Sequence, residues 1–450
     1  MAQITDRMND TIAAISTALG EGAIAIVRIS GPDAVSVSQK ILTRQNFPEH
    51  GRMYLSSLVD GGEIVDRVLC VCFRSPKSYT GEDVIEIHTH GGIFAAEKCL
   101  ELAVSNGARV AEPGEFTRRA FVSGHIDLSQ AEGVLSAITS RSNEALKAAA
   151  RTLTGELSRA VMKIHDDILS LQGKIEIQLD FPEGETLTGL DVPGEIGPIV
   201  SSLEALLPRC SAGMILSQGV NAVIAGRPNA GKSSLLNALV GKNRAIVTDI
   251  PGTTRDIIEE NIIIGGVPVR LSDTAGLRES DDVIESEGVR LALEAVRDSD
   301  ICIYVLDGSQ NLTAEDAEYI SKLEGRNAII TVNKSDLPDM AGDIETGCAV
   351  IHLSAKTGAG VEELRREIYR IAVKDCAVNA GLNVSAYQLG ELRGALSDLR
   401  EGEKSAVSFA GDDVTAGLLG SARVRLLRVL GVGAGDELLD SMFSRFCVGK

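Results

Sequence analysis

Tryptophan is absent from this chain of 450 residues, and aromatic side chains make up only 3% of it. That shortage argues against a platform for single-stranded nucleic acid, which stacks bases on aromatic faces. Positive charge is short as well: 44 Lys and Arg stand against 63 Asp and Glu, a formal net charge of −19. Such a balance excludes binding by blanket neutralisation of phosphates, so any RNA role needs a local basic groove or a basic partner. The eight cysteines are scattered singly except for Cys70-Val-Cys72, and no signal peptide precedes them. They read as the reduced thiols of a cytoplasmic protein. No stretch offers the ~18 uninterrupted apolar residues of a membrane span, so no membrane role is expected.

What is present is a set of five segments in one stretch: Gly226-Arg-Pro-Asn-Ala-Gly-Lys-Ser233, Thr253-Thr254, Asp273-Thr-Ala-Gly276, Asn333-Lys-Ser-Asp336 and Ser354-Ala-Lys356. Together they spell a guanine-nucleotide pocket. A buried strand, Val220 to Ala225, leads into glycines whose amides curl around phosphates, and Lys232 opens a helix with its positive end towards them. In this loop Asn229, Ala230, Gly231, Lys232, Ser233 and Ser234 are the expected GTP contacts, with Lys232 on the β- and γ-phosphates. Ser233 and Asp273, the latter through water, are expected to hold Mg2+, and Thr254 to close on the ion when the γ-phosphate is present. The surrounding Thr248, Asp249, Ile250, Pro251, Gly252 and Thr253, and Thr274, Ala275 and Gly276 beyond Asp273, complete the phosphate side. Guanine is chosen because Asp336 accepts from N1 and the exocyclic amine, while Asn333 and the Ala355 amide address N7 and O6. Lys334, Ser354 and Lys356 flank them.

Many small GTPases carry a glutamine after the Asp-Thr-Ala-Gly segment to orient the attacking water; here stands Leu277, which has no hydrogen-bonding group. Two local candidates substitute for it. Asn229 offers an oxygen to a monovalent cation beside the phosphates, and the acidic run Glu279-Ser-Asp-Asp-Val-Ile-Glu285 lies just downstream.

The length suggests about three domains. Short alternating runs, Ala23 to Ile29, Arg67 to Phe73 and Val84 to His88, with a helical run from Phe94 to Asn106, predict an α+β domain over 1–119. Leu153, Leu157, Val161, Ile164, Ile168, Leu171 and Ile175 repeat at three and four, which predicts one face of a single long helix inside an all-α domain over 120–215. A Ras-like α/β P-loop GTPase domain follows over 216–373, and helical periodicity returns over 374–450. The GTPase therefore reads as an insertion into a helical domain. Cys70-x-Cys72 and His88-x-His90 point each pair to one strand face, a conceivable but weak metal set against the commoner reading of packed cysteines.

Outside the nucleotide motifs, Val27-Arg-Ile-Ser-Gly31, Tyr79 to Ile87 with His90-Gly-Gly92, Glu112-Pro-Gly-Glu-Phe116, Ile126 to Glu132, Asp180-Phe-Pro and the terminal Cys447-Val-Gly-Lys450 closely resemble the tRNA-modification GTPases of the MnmE or TrmE family, over nearly the whole chain. That resemblance implies a homodimer that forms a heterotetramer with an FAD-dependent protein of the MnmG (GidA) type. The complex would add a carboxymethylaminomethyl or aminomethyl group to C5 of the wobble uridine of certain tRNAs. The one-carbon unit would come from 5,10-methylene-tetrahydrofolate, of which 5-formyl-tetrahydrofolate is an analogue, on the N-terminal domain, which also dimerises.

The resemblance further implies potassium held by Asn229, the carbonyls of Thr248 and Ile250, and the Thr253 hydroxyl, with Glu285 as the catalytic acid organising water. It maps folate contacts onto Arg28, Glu86, His125 and Lys450, lysine being usual in the family where this chain has His125. Cys447 is a candidate catalytic thiol; it stands at a prenylation position, but Gly449 and Lys450 fit that signal poorly. The competing reading is a GTP-gated ribosome-assembly or signalling module without a modification role. Such a module calls for an RNA-binding appendage that the acidic N-terminal segment does not resemble.

Overall fold

The computed structural model describes residues 9–47, 49–180, 190–241, 259–273, 299–374, 380–408 and 411–450. They form two compact units, Met1–Ala131 with Leu427–Lys450, and Glu132–Leu426.

The chain begins with β1 (Ile12–Ile15), β2 (Ile24–Ser30), α1 (Ala34–Ile41), β3 (Met53–Asp60), β4 (Glu63–Phe73), β5 (Val84–His90), α2 (Ile93–Ser105), β6 (Arg109–Val110) and α3 (Glu115–Val122). The strands make one six-stranded sheet of order β3-β4-β5-β2-β1-β6, in which β1 and β6 run parallel and the other neighbours antiparallel. Period-two alternation decides the faces. Val27, Ile29, Cys70, Cys72, Ile85 and Ile87 join Val37, Ile41, Cys99 and Ala103 of α1 and α2 in one buried core. Arg28 and Glu86, which are direct cross-strand partners, point to the other face. The same alternation separates the suspected metal pairs. Cys70 is opposite Ile87 and His88 opposite Leu69, so cysteines and histidines occupy opposite faces of the sheet.

The second unit takes in α4 (Leu128–Thr139) from Glu132 onward, then α5 (Asn143–Leu153), α6 (Glu156–Asp180) and α7 (Val192–Gln218). Leu157, Val161, Ile164, Ile168, Leu171 and Ile175 are all buried, as their spacing predicts. Leu153 is not part of that stripe: it is 39% exposed and ends α5, because Gly155 at φ +78° breaks the helix after Thr154. A left-handed residue cannot continue a right-handed helix, so the single long helix expected from periodicity is two. Among the described residues α7 alone is long and apolar enough to cross a membrane. Its Glu195, Glu204 and Arg209 pair with Lys174, Arg400 and Glu156, and Ile196, Leu203, Cys210 and Leu216 are buried.

Next come β7 (Val220–Gly226), α8 (Lys232–Val240), β8 (Glu259–Ile264), β9 (Val267–Asp273), β10 (Ile301–Asp307), α9 (Ala314–Leu323), β11 (Ala328–Asn333), β12 (Ala349–His352) and α10 (Val361–Ala372). The sheet order β12-β11-β10-β7-β9-β8 is parallel except for the β8–β9 hairpin. The continuous apolar runs of β7, β10 and β11 are buried throughout their middles, as strands covered on both faces require. This is a Ras-like α/β P-loop fold.

The chain then returns to helices with α11 (Ala386–Val407) and α12 (Asp412–Val429), and α13 (Asp436–Phe443) with the tail belongs to the first unit. The return is anchored by paired backbone contacts. Thr152 Oγ1 accepts from Asn383 N at 2.8 Å and donates to its carbonyl at 3.1 Å, while Arg209 Nε donates to Ala380 O at 2.9 Å. Gly213 of α7 lies so close that a Cβ there would be 1.9 Å from Leu382 O.

Gly213→Val is therefore expected to destabilise the protein by about 2–3 kcal/mol, because neither backbone can yield. Gly390→Ala, where a Cβ meets nothing within 4 Å, is expected to be neutral or stabilising. Thermal unfolding of the two variants checks this; equal melting temperatures would show that the close approach is not what joins α7 to the returning chain.

Candidate functional sites

The phosphate loop is shaped by three backbone positions. Gly226 has φ +143° and lies against β10, where a Cβ would sit 2.3 Å from Val305 O. Asn229 adopts φ +64°, a left-handed conformation that Asn tolerates better than most residues, and Gly231 at φ +95° starts α8. Lys232 is buried, and its Nζ donates to Gly226 O and Arg227 O, both at 2.9 Å. Ser233 and Ser234 occupy the next two positions of the same helical turn.

The base side is built by β11 and the loop after β12. Asn333, 2% exposed, donates Nδ2 to Ala230 O at 2.8 Å and accepts from Ala355 N at 3.0 Å through Oδ1. One amide thus ties the phosphate loop to the Ser354-Ala-Lys356 loop. Lys334, at φ +68°, pairs with Asp307 Oδ2 at 2.6 Å. Burial alone would raise the Asp307 carboxyl, but the bonds from Lys334 and Ser309 outweigh it and leave the group below its ordinary value. Ser354 Oγ donates to Asp336 Oδ1 at 2.6 Å, and this bond is the main reason the Asp336 carboxyl is lowered. Asp336 is thereby kept ionised and oriented as a double acceptor.

Several expected contacts lie outside the described residues: Thr248, Asp249, Ile250, Pro251, Gly252, Thr253, Thr254, Thr274, Ala275, Gly276 and Glu285. Asp273 is placed by its backbone at the end of β9.

In the first unit, Arg28 Nε and its terminal nitrogen both reach Glu86 Oε1, at 2.9 and 2.8 Å. The guanidinium lies 5.5 Å from the ring centres of both Tyr79 and Phe116. Burial raises the Tyr79 hydroxyl, against the lowering effects of Thr117 and Arg28. The chain's last residues enter this cluster. Arg28 donates to Gly449 O at 3.4 Å, Ser16 Oγ to the same oxygen at 3.1 Å, and Phe116 N to Lys450 O at 3.1 Å. Gly449, at φ +95°, packs where a Cβ would be 2.4 Å from Ile15 O. The structure thus brings Arg28 and Glu86 together and sets the Lys450 backbone against Phe116 beside them, with exposed Cys447 three residues before the end. His125 is placed differently: its ring contacts are Pro76 O at 2.7 Å and Ser123 Oγ at 3.1 Å. Tyr79, Phe116, Ser16 and Gly449 join the site only in the folded chain; all but Ser16 stand in the family-like segments, yet nothing local says that the two rings flank an arginine.

The fold and the converging loops define a P-loop GTPase. A family model described as the GTP-binding protein TrmE N-terminus matches residues 11–125, and one described as the MnmE helical domain matches residues 128–447. The tRNA modification GTPase MnmE of Symbiobacterium thermophilum is 43% identical over 98% of this chain and 99% of its own. Its counterpart from Carboxydothermus hydrogenoformans is 40% identical over 98% of this chain and 100% of its own. The G domain of the T. maritima FeoB iron transporter, a solved structure, is 31% identical, covering 34% of this chain and 98% of that one at a TM-score of 0.26, too low to carry an argument. The chain belongs to the MnmE family of tRNA modification GTPases.

Asp336→Asn is expected to weaken GTP binding on the order of a hundredfold while improving xanthosine triphosphate, whose 2-oxo group accepts from the new amide. Competitive nucleotide titration measures both, and an unchanged preference for guanine would place base recognition elsewhere.

Proposed function

We propose that this protein is a potassium-stimulated GTPase that works with an FAD-dependent partner of the MnmG type. The pair installs an aminomethyl-type group at C5 of the wobble uridine in tRNA, using a methylene-tetrahydrofolate one-carbon unit. The observation that carries the reading is the Asn333 amide joining phosphate loop to base loop, with Asp336 held ionised by Ser354.

In this reading residues 216–373 bind and cleave GTP. Residues 1–119 bind the folate and dimerise, and 120–215 with 374–450 form the helical domain, whose residues 427–450 pack within the first unit. Lys232 leaves its loop carbonyls for the phosphates, to which the loop and α8 amides also turn. Ser233, Thr254 and Asp273 would hold magnesium, and Asn229, Thr248, Ile250 and Thr253 would hold potassium. These oxygen donors suit hard cations. The two ions, when bound, supply positive charge against the charge that develops on the transferring phosphoryl group. Leu277 cannot orient water, and the family resemblance gives that task to Glu285. At the folate site Glu86 accepts from the guanine-like edge of the pterin. Arg28, bonded to Glu86 Oε1, fixes the orientation of that carboxylate, and Lys450 meets carboxylates of the glutamate tail. Cys447, three residues before Lys450, is the candidate thiol of that site.

Nucleoside analysis of tRNA from cells lacking the gene is expected to show loss of the modified wobble uridine; unchanged uridines would overturn the modification role and favour an assembly module. Hydrolysis by the purified protein is expected to be at least tenfold faster in potassium than in sodium at equal ionic strength, the scale of replacing one charge-stabilising group. Equal rates in the two salts would remove the cation from the mechanism.

A further inference from the structure

We propose that Arg227 is a positioning residue for cation-assisted hydrolysis: it anchors the leading edge of the phosphate loop to the first turn of α9 and so holds Asn229 where a cation can use it. This rests on the reading of Asn229 as a potassium ligand.

Arg227 follows the last residue of β7, and its side chain reaches the first turn of α9. NH1 donates to Thr313 Oγ1 at 3.3 Å and lies 3.6 Å from Asp316 Oδ2, and Nε lies 3.7 Å from Glu315 Oε2. The receiving turn is itself rigid. Thr313 and Asp316 form a reciprocal capping box, Asp316 is buried, and Tyr304 of β10 donates to its Oδ1 at 3.1 Å. The Tyr304 ring stacks on Tyr319 of α9 at 5.6 Å, which ties the helix to the sheet.

Between this anchor and Asn229 stands only Pro228. Proline fixes its own φ and confines the residue before it to extended backbone, so Arg227-Pro228 is a stiff lever. On the far side of Asn229, Ala230 O is held by Asn333 Nδ2 at 2.8 Å. Asn229 at φ +64° is thus suspended between two fixed points, one on α9 and one on β11. A left-handed conformation in a residue with a Cβ costs energy and persists only where its surroundings over-determine it. Lys232 Nζ bonds the Arg227 carbonyl here but gives that bond up when it turns to the phosphates, which leaves the guanidinium as the lasting hold on this end of the loop. Releasing that anchor frees Asn229 to sample ordinary backbone, and part of the cation's binding energy must then restore the loop.

The test is GTP hydrolysis by the full-length protein as a function of KCl, with choline chloride keeping ionic strength constant. Arg227→Ala is expected to raise the half-saturating potassium concentration about three- to fivefold, the scale of a partly exposed ion pair. KM for GTP at saturating potassium should move less than twofold. Arg227→Lys, which keeps the charge, should recover much of the shift. Potassium curves that superimpose for wild type and Arg227→Ala would overturn the proposal, as would a lower kcat at every potassium concentration with the midpoint unmoved. A wild-type protein indifferent to potassium would remove the cation reading itself, which separates the two failures. Should Arg227→Ala melt early, Arg227→Gln supplies the same potassium curve in a side chain of similar length.

Discussion

The nucleotide pocket depends on one buried amide. Asn333 ends β11, and its side chain bonds the phosphate loop at Ala230 with one end and the base loop at Ala355 with the other. Those two loops are about 125 residues apart in the chain, and no local interaction could fix their spacing. A buried side-chain amide that loses a partner leaves an unmet donor or acceptor at a cost of about 1–3 kcal/mol. Phosphate and base subsites are therefore set together: the loop that meets phosphates cannot drift without breaking the contact that shapes the base site. Gly231 makes the approach possible, since a Cβ there would collide with the Asn333 amide at 2.2 Å.

The first unit uses the same economy of means on a different scale. Its sheet presents an apolar face to α1 and α2 and an ionic one, Arg28 with Glu86, on the other side. The C-terminal tail meets β1 there, because Gly449 fits against Ile15 where no side chain would. Beside it Arg119, almost wholly buried, bonds Asp10, Glu82 and Glu115, so the segments around the cluster are joined by charge-assisted bonds. Such a network is costly to break by removing one member, since a charge is then left buried and unpaired.

Much of this was legible in the residues. The phosphate loop, Asn333, Asp336 and Ser354 were identifiable because phosphate and guanine chemistry admit few side chains, and those stand at short, fixed spacings. Strands β7, β9, β10 and β11 of the GTPase sheet were legible from apolar runs bounded by turns, whereas β8 and β12 were not. Less legible was the interruption at Gly155, since Leu153 fits the helical period while the glycine after Thr154 decides the path. The faces of Cys70 and His88 depend on strand register, which no local pattern states. Tyr79 and Phe116 became site residues only through folding, because an arginine between two rings is a contact across distant segments.

The amino-acid sequence by itself determined the class of ligand, the nucleotide-binding motifs and the alternation of α/β and helical segments, since these follow from residue type and near-neighbour period. Tertiary structure decided which groups act together: Asn333 between two loops, Arg227 on α9, Gly213 against the returning chain, and the tail beside Arg28. The physical reason is range. Hydrogen-bonding type and periodicity are properties of a few consecutive residues, whereas close approach and burial exist only once segments far apart in the chain have packed.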